Sequence, residues 1–127
     1  MFLFSNKSWA THNRAGEIRV EQTGAQSVRA TVITYTKTSS VPADRDTLEI
    51  EWGDGTSEKV ARSNGRGEVL ANDVKKNLYV ATHTYPGRLT YRISMTDPNR
   101  NGGVLNVNFP HSDNIPFHIQ TSISFLN

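Results

Sequence analysis

The sequence predicts an all-β domain, a sandwich or barrel of roughly seven to eight short strands. Three observations carry that expectation. Apolar residues recur with period two and never hold i, i+3, i+4 spacing for three turns, and alternation is the pattern of half-buried strands. Turn signals separate the alternating runs: Pro42, Gly53-Asp54-Gly55, Asn64-Gly65, Pro86-Gly87, Asn101-Gly102-Gly103 and Pro116. The length of 127 residues fits one domain, long enough to bury a core without metals or crosslinks.

Each run has its own phase. Ile18 and Val20 alternate with Arg19 and Glu21. Val28, Ala30 and Val32 alternate with Arg29 and Thr31, and the shift to Ile33 and Tyr35 predicts a bulge. Leu48, Ile50 and Trp52 share a face opposite Thr47, Glu49 and Glu51. Leu89, Tyr91, Ile93 and Met95 share another, and Phe117, Ile119, Ile123 and Phe125 form the last. Weaker strands are expected at 57–62, 78–85 and 104–109. Residues 63–77 are the least patterned and read as a long loop or one helical turn.

Composition excludes several function classes. There is no cysteine, hence no disulfide scaffold, thiol nucleophile or cysteine-ligated metal. The net charge of +2 comes from a near balance. Lys75-Lys76 is the one adjacent basic pair, far from the clustered footprint of nucleic-acid binders. Arg14, Lys37, Arg92 and Arg100 read as solvated faces. The apolar run Met1–Phe4 falls far short of the roughly 20 residues that span a bilayer. Ser8-Trp9-Ala10 has the small-x-small look of a signal-peptide cleavage site. Residues 1–10 are therefore expected to be an N-terminal extension or signal-peptide remnant, and 11–127 the domain.

The chain carries no G-x-S-x-G elbow, H-E-x-x-H pair, phosphate loop or dinucleotide fingerprint. His12, His83, His111 and His118 never fall at metal-ligand spacing. The expectation is a protein that is not an enzyme. His83 reads as a ligand or pH-sensitive contact, or as a packed histidine on one strand face with Tyr79 and Tyr85, bonded to the turn at Asp54; the second is favoured. Asp97-Pro98-Asn99-Arg100-Asn101-Gly102 matches the first half of an oxygen-rich calcium loop. Asp97, Asn99 and Asn101 are thus candidate calcium ligands. The twelfth position is Asn108 where a bidentate Glu belongs, which excludes an EF-hand and leaves a looser β-loop site or a polar hairpin. Asp44, Asp46 and Asp54 form a second acidic cluster. Tyr35, Tyr79 and Trp9 are candidates for a surface that stacks sugars or peptides.

Trp52-Gly53-Asp54-Gly55-Thr56, His83-Thr84-Tyr85-Pro86-Gly87 and the strand centred on Tyr91 together resemble the polycystic-kidney-disease (PKD) domain, an immunoglobulin-like β-sandwich. The likeness spans roughly residues 28–96. It departs at Leu89-Thr90, where small residues usually approach the tyrosine. It implies structural roles for Trp52, Gly53, Asp54, Gly55, His83, Tyr85 and Tyr91: a core tryptophan, a tight turn and a tyrosine corner. Ala10-Thr11-His12-Asn13-Arg14-Ala15-Gly16-Glu17-Ile18, Thr34–Thr38 and Asp97–Gly103 are similar to opening modules of large Bacteroidota surface proteins that end in a gliding-motility-associated sorting domain. That similarity implies a fragment of a longer chain, exported by the general and then the type IX pathway to the cell surface or medium. Its partners there would be neighbouring domains and extracellular protein or polysaccharide, with no nucleic acid and no membrane insertion. A spacer and adhesive module is the implied function; the alternatives are a carbohydrate-binding accessory of a hydrolase and a calcium-dependent adhesion domain.

Overall fold

A computed structural model describes residues 8–13, 16–39, 45–97 and 117–125. They form nine strands: β1 (Ser8–Asn13), β2 (Gly16–Gln22), β3 (Ser27–Lys37), β4 (Thr47–Glu51), β5 (Ser57–Ala61), β6 (Glu68–Val69), β7 (Val74–Thr84), β8 (Thr90–Asp97) and β9 (Phe117–Ser124). Two antiparallel sheets result, ordered β1-β2-β3-β7-β6 and β5-β4-β8-β9. Read from β2 onward, the first is an A-B-E-D sheet and the second C′-C-F-G, the arrangement of an immunoglobulin-like sandwich. β1 adds a strand outside the A position. The sequence expectation fell short in number because β1 and β6 carry almost no apolar alternation of their own.

The inner faces supply the core. Ile18 and Val20 of β2, Val28, Ala30 and Val32 of β3, Leu48 and Ile50 of β4, Ile93 and Met95 of β8, and Ile119 and Ile123 of β9 are all buried. These are the positions the period-two pattern selects, because successive side chains of a strand point to opposite faces. Burying such side chains contributes about 1.5–3 kcal/mol each.

Three expectations need correction. β3 has no bulge: its pairing runs without interruption from Ser27 to Lys37 with β7 and from Val28 to Thr34 with β2. The apparent change of phase arises because Thr34 and Thr36 continue the buried inner row. Asn77 is buried between them and donates from Nδ2 to the hydroxyls of Thr34 (3.3 Å) and Thr36 (3.1 Å). Its Oδ1 accepts from Arg62 Nη1 at 3.0 Å. A satisfied polar layer therefore replaces apolar side chains at that end of the core.

The stretch 63–77 is neither one loop nor a helical turn. It holds a tight turn at 63–67, then β6, then the first residues of β7, with Lys75 and Asn77 on the inner side where alternation analysis seeks apolar residues. Tyr79 leaves the proposed stacking surface altogether. It is fully buried, and its hydroxyl donates to the Arg45 carbonyl. Residues 8–10, which the expected boundary sets before the domain, form the first half of β1, paired with Glu21, Val20 and Arg19. Asn99, Asn101, Asp44 and the strand expected at 104–109 lie outside the described residues. Of the calcium candidates, only the backbone of Asp97, closing β8, is described.

Candidate functional site

The residues that carry the resemblance converge where β4, β7 and β8 meet. Trp52 follows β4 in phase with Leu48 and Ile50 and is 1% exposed. The chain then reverses. Gly53 and Gly55 both have φ of +91°, a region side chains with Cβ resist, and the Trp52 N–H closes the turn on the Thr56 carbonyl at 3.0 Å. Gly53 also lies hard against β8: a Cβ there would stand 2.3 Å from the Arg92 carbonyl oxygen and 2.7 Å from its amide nitrogen.

Asp54 sits between the two glycines and ties the turn together. One carboxylate oxygen accepts from the Thr56 amide (3.1 Å) and from the Thr56 hydroxyl. The other takes a bond from His83 Nε2 at 2.9 Å. The two side chains are 5% and 18% exposed respectively. Burial pushes the Asp54 carboxyl upward, but the bonds from Thr56 and His83 outweigh it and leave it below its ordinary value.

The His83 ring is sandwiched by geometry as well as by charge. It lies parallel to the Trp52 indole, 4.6 Å between centroids and 6° between planes, and meets Tyr85 edge-on at 4.6 Å. Tyr85 stacks on Tyr91 at 3.9 Å. Phe125 packs against both, and half-buried Trp9 meets Phe125 edge-on at 6.4 Å. The result is one aromatic column reaching from the β4 turn to β1. Each hydroxyl in it has a backbone acceptor. Tyr85 donates to the Trp52 carbonyl at 2.7 Å, and Tyr91 to the Gly87 carbonyl at 2.8 Å. The second bond is a tyrosine corner, joining the strand to a backbone carbonyl a few residues upstream. Burial, with the charge of Asp54 and then Tyr91 behind it, raises the Tyr85 phenol and keeps it a neutral donor. Among the described residues Trp52 Nε1 is buried without a hydrogen-bond partner, so packing and stacking hold this indole.

Thr56, Asp54 and His83 superficially resemble a hydrolytic triad, but their order is wrong for one. In such a triad the imidazole stands between acid and hydroxyl and takes the hydroxyl's proton. Here the carboxylate stands between imidazole and hydroxyl, and the Trp52 indole stacks on the His83 ring. The arrangement holds a turn; it does not activate a nucleophile. Among the described residues no group of three or more His, Asp or Glu side chains is placed to hold a metal ion.

The outer side of the same turn borders a groove of about 430 Å³, lined by Glu51, Gly53, Gly55, Thr56, Ser57, Arg92 and Ser94. Sequence reasoning passed over it and assigned Arg92 to a solvated face. Strand register is the missing signal, for Glu51 pairs with Ser57 on one side and Ser94 on the other. The stacking surface anticipated from Tyr35, Tyr79 and Trp9 does not assemble: Tyr79 is in the core, Trp9 is against Phe125, and Tyr35 is half-buried on the outside of β3. Comparison of the chain with protein families, curated proteins and solved structures yields no match.

Proposed function

We propose that the chain is a PKD-type module of a large secreted or cell-surface protein, serving as a spacer and adhesive element and not as an enzyme. The observation behind this reading is the direction in which the conspicuous polar residues face. Asp54, His83, Tyr85 and Tyr91 direct their polar atoms to one another or to backbone groups of the turns, so the signature is chemistry for folding.

A sandwich held this way is suited to keeping its neighbours in the same long chain at a fixed distance. Its exposed faces and edge strands are then left for contact with extracellular protein or polysaccharide. Export through the general and type IX routes belongs to the same proposal, on the strength of the sequence similarity alone.

Surface display is tested with an antiserum against the purified chain and intact cells of the encoding organism. Protease added to intact cells should remove the reactive protein, while a cytoplasmic marker survives. Protection of the protein until the cells are lysed would contradict the reading.

A further inference from the structure

The outer face of β5-β4-β8-β9 is polar throughout its centre. Register aligns Ser57, Glu51, Ser94 and Gln120 in one row across all four strands, with Arg92 and Ser122 in the next row. The groove beside the Gly53–Gly55 turn opens onto these rows. Its volume of about 430 Å³ lies inside the ~300–1,000 Å³ span of small-ligand sites.

The Arg92 side chain lines this groove and has no hydrogen-bond or ion-pair partner among the described residues, and neither does the Glu51 side chain. The groove thus presents an unengaged guanidinium fork, an unengaged carboxylate and the hydroxyl-bearing residues Ser57 and Ser94, with bare glycine backbone along one wall. We propose that it binds an acidic saccharide, a uronate-bearing unit of a polysaccharide, which gives the adhesive half of the reading above a ligand.

Each feature narrows the ligand. A guanidinium pairs best with a planar carboxylate or a phosphate, two parallel N–H bonds to two oxygens. Glu51 on the neighbouring strand repels a doubly charged phosphate more strongly than a singly charged carboxylate and accepts hydrogen bonds from a ligand rich in hydroxyls. A uronate has one carboxylate and several ring hydroxyls, matching the fork, the acceptor and the serines together. Among the described residues no aromatic ring lines the groove, so recognition rests on charge and hydrogen bonding. The row extending to Gln120 provides a shelf for a second sugar unit.

The test is calorimetric titration of the full chain at physiological salt with trigalacturonate, maltotriose and a triglutamate peptide. Trigalacturonate should bind with millimolar or tighter affinity and maltotriose should not. Arg92→Gln should weaken binding at least tenfold. Ser94→Ala, which leaves the charge unchanged, should weaken it several-fold and serves if Arg92→Gln lowers the melting point. Lys37→Gln removes the same charge from exposed Lys37 on the other sheet and should have no effect. No heat with trigalacturonate, or equal losses for Arg92→Gln and Lys37→Gln, would overturn the proposal. Triglutamate binding as tightly through Arg92 would replace the saccharide with an acidic protein partner. Any of these failures leaves surface display to be judged by the protease experiment alone.

Discussion

Two alanine substitutions, two residues apart in the same turn, separate backbone strain from steric collision. Gly53 and Gly55 have the same φ of +91°, so an added Cβ brings the same conformational penalty at both, on the order of 1–2 kcal/mol. Reduced freedom of the unfolded chain returns about 0.4–1 kcal/mol of it. Beyond that the sites differ. A Cβ at Gly55 meets nothing within 4 Å, whereas at Gly53 it falls 2.3 Å from the Arg92 oxygen and 2.7 Å from the Arg92 nitrogen. Those are backbone atoms of a strand paired to β9 through Arg92 and Ser122, so they cannot rotate aside. Forcing them apart adds roughly 1–3 kcal/mol, the range for overpacking. Gly55→Ala should therefore lose about 1 kcal/mol and Gly53→Ala about 3 kcal/mol. In urea, with a slope of roughly 1.5 kcal/mol per molar for a domain of this size, the two midpoints should differ by about 1 M or more. Midpoints that coincide would mean the turn does not press on β8, and the geometry argued here would fail.

Tyr85→Phe should lose about 1–3 kcal/mol, because the buried Trp52 carbonyl is left without its donor; a neutral result in chemical denaturation would contradict that bond. Tyr91→Phe should lose less, about 0.5–1.5 kcal/mol, since the Gly87 carbonyl it serves sits in a turn that is only partly buried. Trp52→Ala should lose about 3–5 kcal/mol by emptying a large aromatic site, and a loss under about 1 kcal/mol would place the indole outside the core. The depressed Asp54 carboxyl makes a signed acid prediction. A group with a lowered folded pKa adds stability that is present above its unfolded value of about 3.9 and disappears as pH falls through the folded value. Asp54→Asn should therefore be less stable than the parent at pH 7, with the gap narrowing as pH falls below about 4; a gap of constant size in thermal melts from pH 7 into that acid range would exclude the linkage.

The sequence disclosed most where one face of a strand is apolar and its neighbours in the chain are polar. Ile18 and Val20, Leu48 and Ile50, Ile93 and Met95 all lie where alternation puts them. The tryptophan was legible for the same reason, being two residues beyond Ile50. Alternation failed where the inner row is itself polar. Thr34, Thr36 and Asn77 satisfy one another across β3 and β7, and two distant segments must be paired before that compatibility shows. A bulge was the natural misreading of Ile33 and Tyr35. β1 was invisible because, of its six residues, Trp9 alone looks like core, and its place depends on pairing with β2. The groove escaped for a related reason. Glu51, Ser57, Arg92 and Ser94 are ordinary surface residues in linear order, and only antiparallel register collects them.

Asp54 and His83 act as a folding lock between the β4 turn and β7. The decisive experiment is a double-mutant cycle on stability, using Asp54→Ala, His83→Ala and the pair at neutral pH. Residues in direct contact within one hydrogen-bonded network couple by about 0.5–3 kcal/mol. With a 2.9 Å bond between largely buried groups, the coupling should reach at least about 1 kcal/mol, the double variant losing less than the two single losses summed. Losses that add to within about 0.3 kcal/mol would mean the two residues stabilise the fold independently, and the lock would not exist.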